Sequence, residues 1–133
     1  MLGGHSLGGT VAAIEAVAAS DADAAMDPAR ADSPEVRGLL FFASYPADDI
    51  SGASLAVLSI SGSEDALATP AKIEASRSDL PPDSGFVVID GASHAQFGSY
   101  GPQAGDGTPT IGDEEARALI SEATLAFVGS LAE

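Results

Sequence analysis

The feature that constrains this chain most is a glycine-rich stretch near its start, where residues 3–9 read GGHSLGG. Within it, Gly4, Ser6 and Gly8 match the pattern G-x-S-x-G, which forms a sharp turn between a strand and a helix. Such a turn holds the serine in a strained backbone conformation and exposes its hydroxyl above a parallel sheet. Side chains two positions before and after the serine should collide with the strand and helix, so glycine is expected there. The pattern therefore predicts an α/β fold in which Ser6 is a nucleophile.

The residues after this motif support a helix, whereas little precedes it. Residues 10–19 are rich in alanine, and Val11 and Ile14 recur at helical spacing. A strand should lead into the turn, but only Met1 and Leu2 come before the glycines. By itself the pattern is equally compatible with a glycine-rich tail ahead of an ordinary helix, so residues further along the chain have to decide.

Three apolar runs have the length and composition of buried strands: 36–43, 55–61 and 86–90. Thr69 and Pro70 start a helix between the last two runs, which makes those strands parallel. A stripe of apolar residues over 116–131 predicts a closing helix. Residues 20–35, with two prolines and five acids, are interpreted as a surface connection. We therefore predict a single α/β domain over residues 1–133, with a three-stranded parallel sheet and flanking helices.

Composition disfavours several classes of function. Five basic residues against twenty acidic ones give a net charge of -15, and nucleic acid is not an expected partner because phosphates are bound by clustered Lys and Arg. No run approaches the roughly 20 apolar residues that span a bilayer, and neither a basic n-region nor an apolar h-region is seen ahead of the motif. We therefore expect a soluble, cytoplasmic protein without a membrane partner. With no Cys and two distant His residues, neither a metal nor another cofactor is expected.

The acidity of the chain has two explanations that the sequence leaves open. An excess of Asp and Glu with a single lysine is typical of proteins from concentrated salt, where counterions screen like-charge repulsion. A GC-rich genome also favours Asp, Ala, Gly and Arg over Lys. Charge alone does not separate the two.

Two polar residues follow the second and third predicted strands. Asp65 comes just after residues 55–61, and His94 comes just after residues 86–90. The carboxyl ends of parallel strands lie at one edge of a sheet, where ligands and catalytic groups collect. We expect His94 to take the Ser6 proton as general base, and Asp65 to orient the imidazole and stabilise its charged form.

Other residues compete for these roles or are expected nearby. Glu64 stands beside Asp65, and Asp48 or Asp49 follows the first predicted strand, so the identity of the acid is open. Acidic residues at 64 and 65 are also explained by turn or helix-start chemistry. The other histidine, His5, occupies the variable position of the motif, where we expect it to point away from the base. The candidates for lining the pocket are His5, Tyr45, Phe97 and Tyr100.

These residues and their order resemble the α/β-hydrolase family, in a branch similar to dienelactone hydrolase. The resemblance rests on three segments: GGHSLGG at 3–9, SISGSEDALATPAKI at 59–73 and GASHAQFGSYGPQAGDG at 91–107. It implies Ser6 as nucleophile, Asp65 as acid and His94 as base, with the Leu7 backbone N–H as an oxyanion donor. Dienelactone hydrolases themselves use a cysteine nucleophile, so lactone specificity is not implied here.

The resemblance covers the C-terminal half of such an enzyme. It implies a serine hydrolase that acts on an ester, thioester or amide through an acyl-enzyme, with a small ester-like substrate as partner. The family's first strands, which include the strand feeding the motif and the loop with the second oxyanion donor, would lie before Met1. We therefore expect a partial fold whose strand at 36–43 is an exposed edge open to self-association, and weak esterase turnover by this chain alone. The alternative is a catalytically incompetent fragment or interaction module of such a hydrolase.

Overall fold

In a computed structural model, residues 1–21, 36–99 and 101–132 are described. The helices and strands are β1 (Leu2–His5), α1 (Leu7–Asp21), β2 (Gly38–Phe42), β3 (Ala56–Gly62), α2 (Pro70–Ala75), β4 (Gly85–Ile89) and α3 (Asp113–Leu131). Two short 3₁₀ helices, Ser76–Asp79 and His94–Phe97, precede and follow β4. Most of the predicted surface connection, residues 22–35, lies outside the described residues.

The described strands form one parallel sheet in the order β1-β2-β3-β4. The sheet has four strands rather than the predicted three, because residues 2–5 pair with β2, with Leu2 opposite Leu39 and His5 opposite Phe42. The side-chain pattern does not indicate this strand, because two of its four residues are glycine, which has no side chain and is uncommon in strands. A strand therefore does feed the turn at Ser6. The prediction that the run at 36–43 forms an exposed edge is wrong, because β2 has a partner on each side.

Alternate side chains of β2 face opposite sides of the sheet and build two separate cores. Leu39 and Phe41 are fully buried and pack with the alanines of α1. Leu40 packs on the other face with Ile60 of β3 and with Ala116 of α3. The predicted α/β class, a parallel sheet with flanking helices, is thereby confirmed. The near-continuous apolar run of β2 follows from its being covered on both faces.

The two faces of α1 are covered unequally. The buried face of this helix is made of alanines: Ala12, Ala13 and Ala16. The larger apolar residues Leu7, Val11 and Ile14 are instead 80%, 57% and 54% exposed. The apolar spacing seen in the sequence therefore marks the outer face of α1, and small side chains let the helix approach the sheet closely.

α2 begins where the sequence predicts, and α3 begins three residues before its predicted apolar stripe. Thr69 precedes Pro70, and its Oγ1 accepts a hydrogen bond from the Lys72 backbone N–H at 3.3 Å. α3 begins with three acidic residues in its first turn, which the positive end of a helix favours. None of the helices in the described ranges combines the length and the apolar character needed to cross a membrane.

Candidate active site

Ser6 lies at the sharp turn between β1 and α1. Its φ is +54°, in the left-handed region that residues other than glycine rarely adopt. Two backbone hydrogen bonds hold the turn: the Ser6 N–H donates to the Phe42 carbonyl at 3.3 Å, and the Gly9 N–H donates to the Ser6 carbonyl at 3.0 Å. The serine is therefore in the strained conformation that the glycine pattern predicts.

Close packing explains Gly4 and Gly9, whereas the pattern singles out Gly4 and Gly8. A Cβ on Gly4 would meet the backbone carbonyl of Gly8, and a Cβ on Gly9 would meet Ser44 Oγ. A Cβ on Gly8 would have no described atom within 4 Å. The prediction of a collision at position 8 is therefore wrong. The Gly8 backbone blocks a side chain on Gly4, whereas a Cβ added to Gly8 would point into open space. Gly9 is the constrained position that sequence reasoning missed.

Asp65 and His94 form a buried pair. Asp65 Oδ2 lies 2.8 Å from His94 Nδ1, and each residue is only 3% exposed. The other carboxylate oxygen, Oδ1, accepts hydrogen bonds from the backbone N–H groups of Leu67 and Ala68, both at 2.8 Å. An ionised carboxylate only accepts, so the proton of this contact belongs on Nδ1. The neutral ring then keeps Nε2 as its proton acceptor.

The alternative acids lie elsewhere. Glu64, Asp48 and Asp49 are exposed. Asp49 Oδ1 accepts a hydrogen bond from the Ser51 backbone N–H at 2.9 Å, and hydrogen bonds from Ser51 lower the pKa of Asp49 below its ordinary value. Across the described ranges, no group of three His, Cys, Asp or Glu side chains could hold a metal ion. Of the candidate acids, Asp65 is the one that the structure brings to His94.

Ser6 and His94 line the same open cavity, whose volume is about 190 Å³. The other described residues of its wall come from the start of α1, the loop after β2 and the loop after Asp65: Leu7, Thr10, Ala43, Ser44, Tyr45, Leu67 and Ala68. Because Leu7 is the first residue of α1, its backbone N–H has no acceptor within the helix. The structure thus places Ser6, Leu7 and His94 around one cavity, with Asp65 hydrogen-bonded to His94.

The candidate pocket-lining residues are placed differently from one another. Tyr45 lines the cavity, and its carbonyl accepts a hydrogen bond from Thr10 Oγ1 at 3.1 Å. His5 lies beside the His94 ring with the ring centroids 4.6 Å apart, and Phe97 lies nearly parallel to His5 at 6.5 Å. Neither His5 nor Phe97 is part of the wall of this cavity. Tyr100 lies outside the described residues.

The prediction that His5 points away from the base is therefore wrong. The strands are parallel, so the carboxyl ends of β1 and β4 lie on the same side of the sheet. His5, the last residue of β1, therefore reaches the segment that carries His94. Burial, followed by the electrostatic effect of His94, lowers the pKa of His5 below its ordinary value of 6.5. His5 is consequently neutral at pH 7 and adds no positive charge beside the base.

A family model described as the alpha/beta hydrolase family matches residues 1–118. The match spans most of the chain and includes Ser6, Asp65 and His94, and the chain therefore belongs to the alpha/beta hydrolase family. No match is found among curated proteins. Membership of the family indicates a hydrolase-type function, while the likeness to the dienelactone hydrolase branch stays a prediction.

Proposed function

We propose that the protein is a serine hydrolase that cleaves an ester, thioester or amide through an acyl-enzyme on Ser6. One observation carries the proposal: a buried pair, with His94 Nδ1 2.8 Å from Asp65, opens onto the same cavity as a serine held at φ +54°. A serine hydroxyl is a weak nucleophile unless an adjacent base takes its proton. In this proposal His94, which lines the same cavity as Ser6, is that base, and Asp65 fixes its tautomer and orientation.

The reaction has two halves. In the first, Ser6 Oγ attacks the substrate carbonyl carbon while His94 Nε2 takes the hydroxyl proton, and the Leu7 backbone N–H donates to the developing oxyanion. Collapse of the tetrahedral intermediate breaks the bond to the alcohol, thiol or amine, which leaves with the proton from His94. In the second half, His94 takes a proton from water, the hydroxide oxygen attacks the acyl carbon, and the released acid leaves Ser6 free again.

The cavity and the charge of the chain narrow the substrate class. A volume of about 190 Å³ is below the range of roughly 300–1,000 Å³ that is usual for drug-sized ligands, which favours a substrate with a small acyl group. Leu7, Leu67 and Ala68 give the wall an apolar part that suits an uncharged acyl chain. A net charge of -15 repels anions, which favours neutral or cationic esters over substrates with free carboxylates or phosphates.

A second candidate function, an interaction module that self-associates, is favoured by a different feature. In the described part of the chain β1 pairs with β2 alone, which leaves its other edge open. Leu7, Val11 and Ile14 form an exposed apolar row on the helix that follows β1. A second copy that paired through β1 would cover both features, and sedimentation velocity at increasing concentration would show the dimer. A monomer at all concentrations would contradict this candidate.

The hydrolase proposal is tested by covalent labelling. A fluorophosphonate should add once per chain, and peptide mapping should place the adduct on Ser6, because that reagent requires an activated serine. The Ser6→Ala variant should neither react nor release p-nitrophenol from p-nitrophenyl acetate. Ser44 lines the same cavity and serves as the internal control. An adduct on Ser44, or no adduct on folded protein, would contradict the proposal.

A further inference from the structure

The glycine-rich loop that follows His94 places one carboxylate, that of Asp106, against the backbone of both loops that carry the acid and the base. Its Oδ1 accepts hydrogen bonds from the N–H groups of His94 at 3.0 Å and of Gly107 at 2.7 Å. Its Oδ2 accepts from the Ala95 N–H at 2.9 Å. Oδ1 also lies 3.5 Å from the N–H of Ala66, the residue directly after Asp65. One side chain therefore contacts the base residue itself and the neighbour of the acid.

The backbone next to Asp106 is closely packed against the segment before Asp65. A Cβ on Gly107 would meet the backbone carbonyl oxygen of Glu64, which shows that the loop presses directly on the segment before Asp65. The start of the 3₁₀ helix at His94 has a cap of its own, because the Ser93 N–H donates to Gln96 Oε1 at 3.1 Å. Asp106 thus adds contacts to His94 and Ala95 from outside that helix.

Asp106 is charged under ordinary conditions. Desolvation opposes ionisation, but hydrogen bonds from the backbone N–H groups of Ala95, His94 and Gly107 outweigh it and lower the pKa of Asp106 below its ordinary value. Hydrogen bonds to an ionised carboxylate are roughly twice as strong as those between neutral groups. The contacts to the His94 loop are therefore of the stronger kind.

We propose that Asp106 is a positioning residue that fixes the backbone of His94 relative to Asp65, and through it the direction in which the imidazole faces Ser6. For its effect on turnover, this inference rests on the proposed serine hydrolase function. Without the carboxylate, the His94 and Ala95 N–H groups lose their acceptor and the start of the 3₁₀ helix can shift. A displacement of about 1 Å in a catalytic group can lower turnover by about 10²-fold.

The test uses Asp106→Asn in the full chain, with Asp113→Asn as the matched control. An asparagine keeps the size of the side chain, but its NH₂ group cannot accept from Ala95. Asp113 accepts a hydrogen bond from Gln96 Nε2 at 3.0 Å, in the same region, and contacts neither His94 nor Ala66 in the described contacts. The first readout is the low-field proton resonance of His94 Nδ1–H, assigned by its loss in Asp65→Asn. The second is kcat and KM for p-nitrophenyl acetate.

We expect Asp106→Asn to shift or broaden the His94 Nδ1–H resonance and to lower kcat by about 10²-fold with KM unchanged, while Asp113→Asn changes neither. A purely structural role would lower the melting temperature and leave the resonance of the folded protein in place. That outcome, or an unchanged resonance and kcat, would overturn the proposal. Absence of the resonance from the wild type would also overturn it, since no fixed pair would exist for Asp106 to position.

The His94 Nδ1–H resonance tests the positioning role of Asp106 independently of catalysis. A wild type with the resonance and no turnover would refute the hydrolase proposal, and the spectrum of Asp106→Asn would still decide the positioning role. If Asp106→Asn does not fold, Asp106→Glu takes its place, because it keeps the charge and moves the carboxylate by one methylene. A shifted resonance in folded Asp106→Glu would support the role, and an unchanged one would overturn it.

Discussion

The acid–base side of the site and its nucleophile side are held in different ways. Asp65 and His94 are each 3% exposed, follow β3 and β4, and are hydrogen-bonded to each other, and Asp65 also accepts from two backbone N–H groups. Ser6 is partly exposed and follows a strand of only four residues at the edge of the described sheet. The position of the base is thus set by buried hydrogen bonds, whereas the position of the serine depends on strand pairing and glycine packing.

The same difference appears in the packing behind each side. His94 lies beside the buried layer between the sheet and α3, to which Ile89 and Ala92 contribute. The helix that follows Ser6 has alanines on its inner face and exposed Leu7 and Val11 on its outer face. The buried side chains that α1 itself contributes are small, so separating it from the sheet should expose little apolar surface of the helix, and we expect the nucleophile side to be the less stable part of the site.

The largest expected effect comes from a substitution on the acid–base side. Asp65→Asn should lower kcat/KM for p-nitrophenyl acetate by about 10⁴-fold, because an amide in place of the carboxylate favours the wrong tautomer of His94. The matched control is Glu64→Gln, since Glu64 is the exposed neighbour of Asp65. Equal losses in the two variants would show that the acidic loop acts through charge or folding rather than through Asp65.

Hydrogen exchange compares the two sides directly. Backbone N–H groups of β3 should exchange with opening free energies close to that of global unfolding, because both neighbours of this strand are strands. Backbone N–H groups in β1 and the first turn of α1 should exchange at least about 10²-fold faster through local opening. Equal protection in β1 and β3 would contradict the distinction between the two sides.

A smaller effect is expected from the glycines of the turn. Gly9→Ala should lower the free energy of unfolding by about 1–3 kcal/mol, because the new Cβ would overlap Ser44 Oγ. Gly8→Ala should raise it by about 0.5 kcal/mol, since alanine favours a helix and has open space there. Urea denaturation of both variants checks the pair. A greater loss at Gly8 than at Gly9 would mean that the turn packs differently.

The smallest effect concerns pH. The pKa of His5 is lowered in the folded protein, so the unfolded chain binds more protons as the pH falls below about 6.5. The contribution of His5 to stability is therefore fully present above that pH and declines as the pH drops through the lowered value. His5→Asn should flatten the fall of the unfolding free energy between pH 6.5 and acid conditions, as measured by urea titrations at several pH values. An identical slope in the variant would show that His5 does not titrate with folding.

Local patterns in the sequence predicted most of the fold. The three apolar runs became β2, β3 and β4 within two residues at each end, since continuous burial on both faces leaves a strong compositional mark. β1 was missed because two of its four residues are glycine, and what makes it a strand is its pairing with β2. Such pairing is a contact between distant residues and leaves no pattern in four letters of sequence.

The candidate site shows the same division. Ser6, Asp65 and His94 could be selected because each follows an element of the expected kind, and strand ends of a parallel sheet share one edge. The direction of the His5 ring and the bonds of Asp106 to the His94 loop could not be predicted, because they join residues 11 to 89 positions apart that meet only in the fold. The signal that existed for Asp106 was its place between two glycines, Gly105 and Gly107.

The most direct test of the central claim is to trap the acyl group. The protein is mixed with p-nitrophenyl acetate and quenched in acid, and its intact mass and peptides are then measured. The account predicts one added acetyl group per chain, mapped to Ser6, and its loss in both Ser6→Ala and His94→Ala. Acetylation that maps to Lys72 or the amino terminus, or that persists in folded His94→Ala at the wild-type rate, would contradict it.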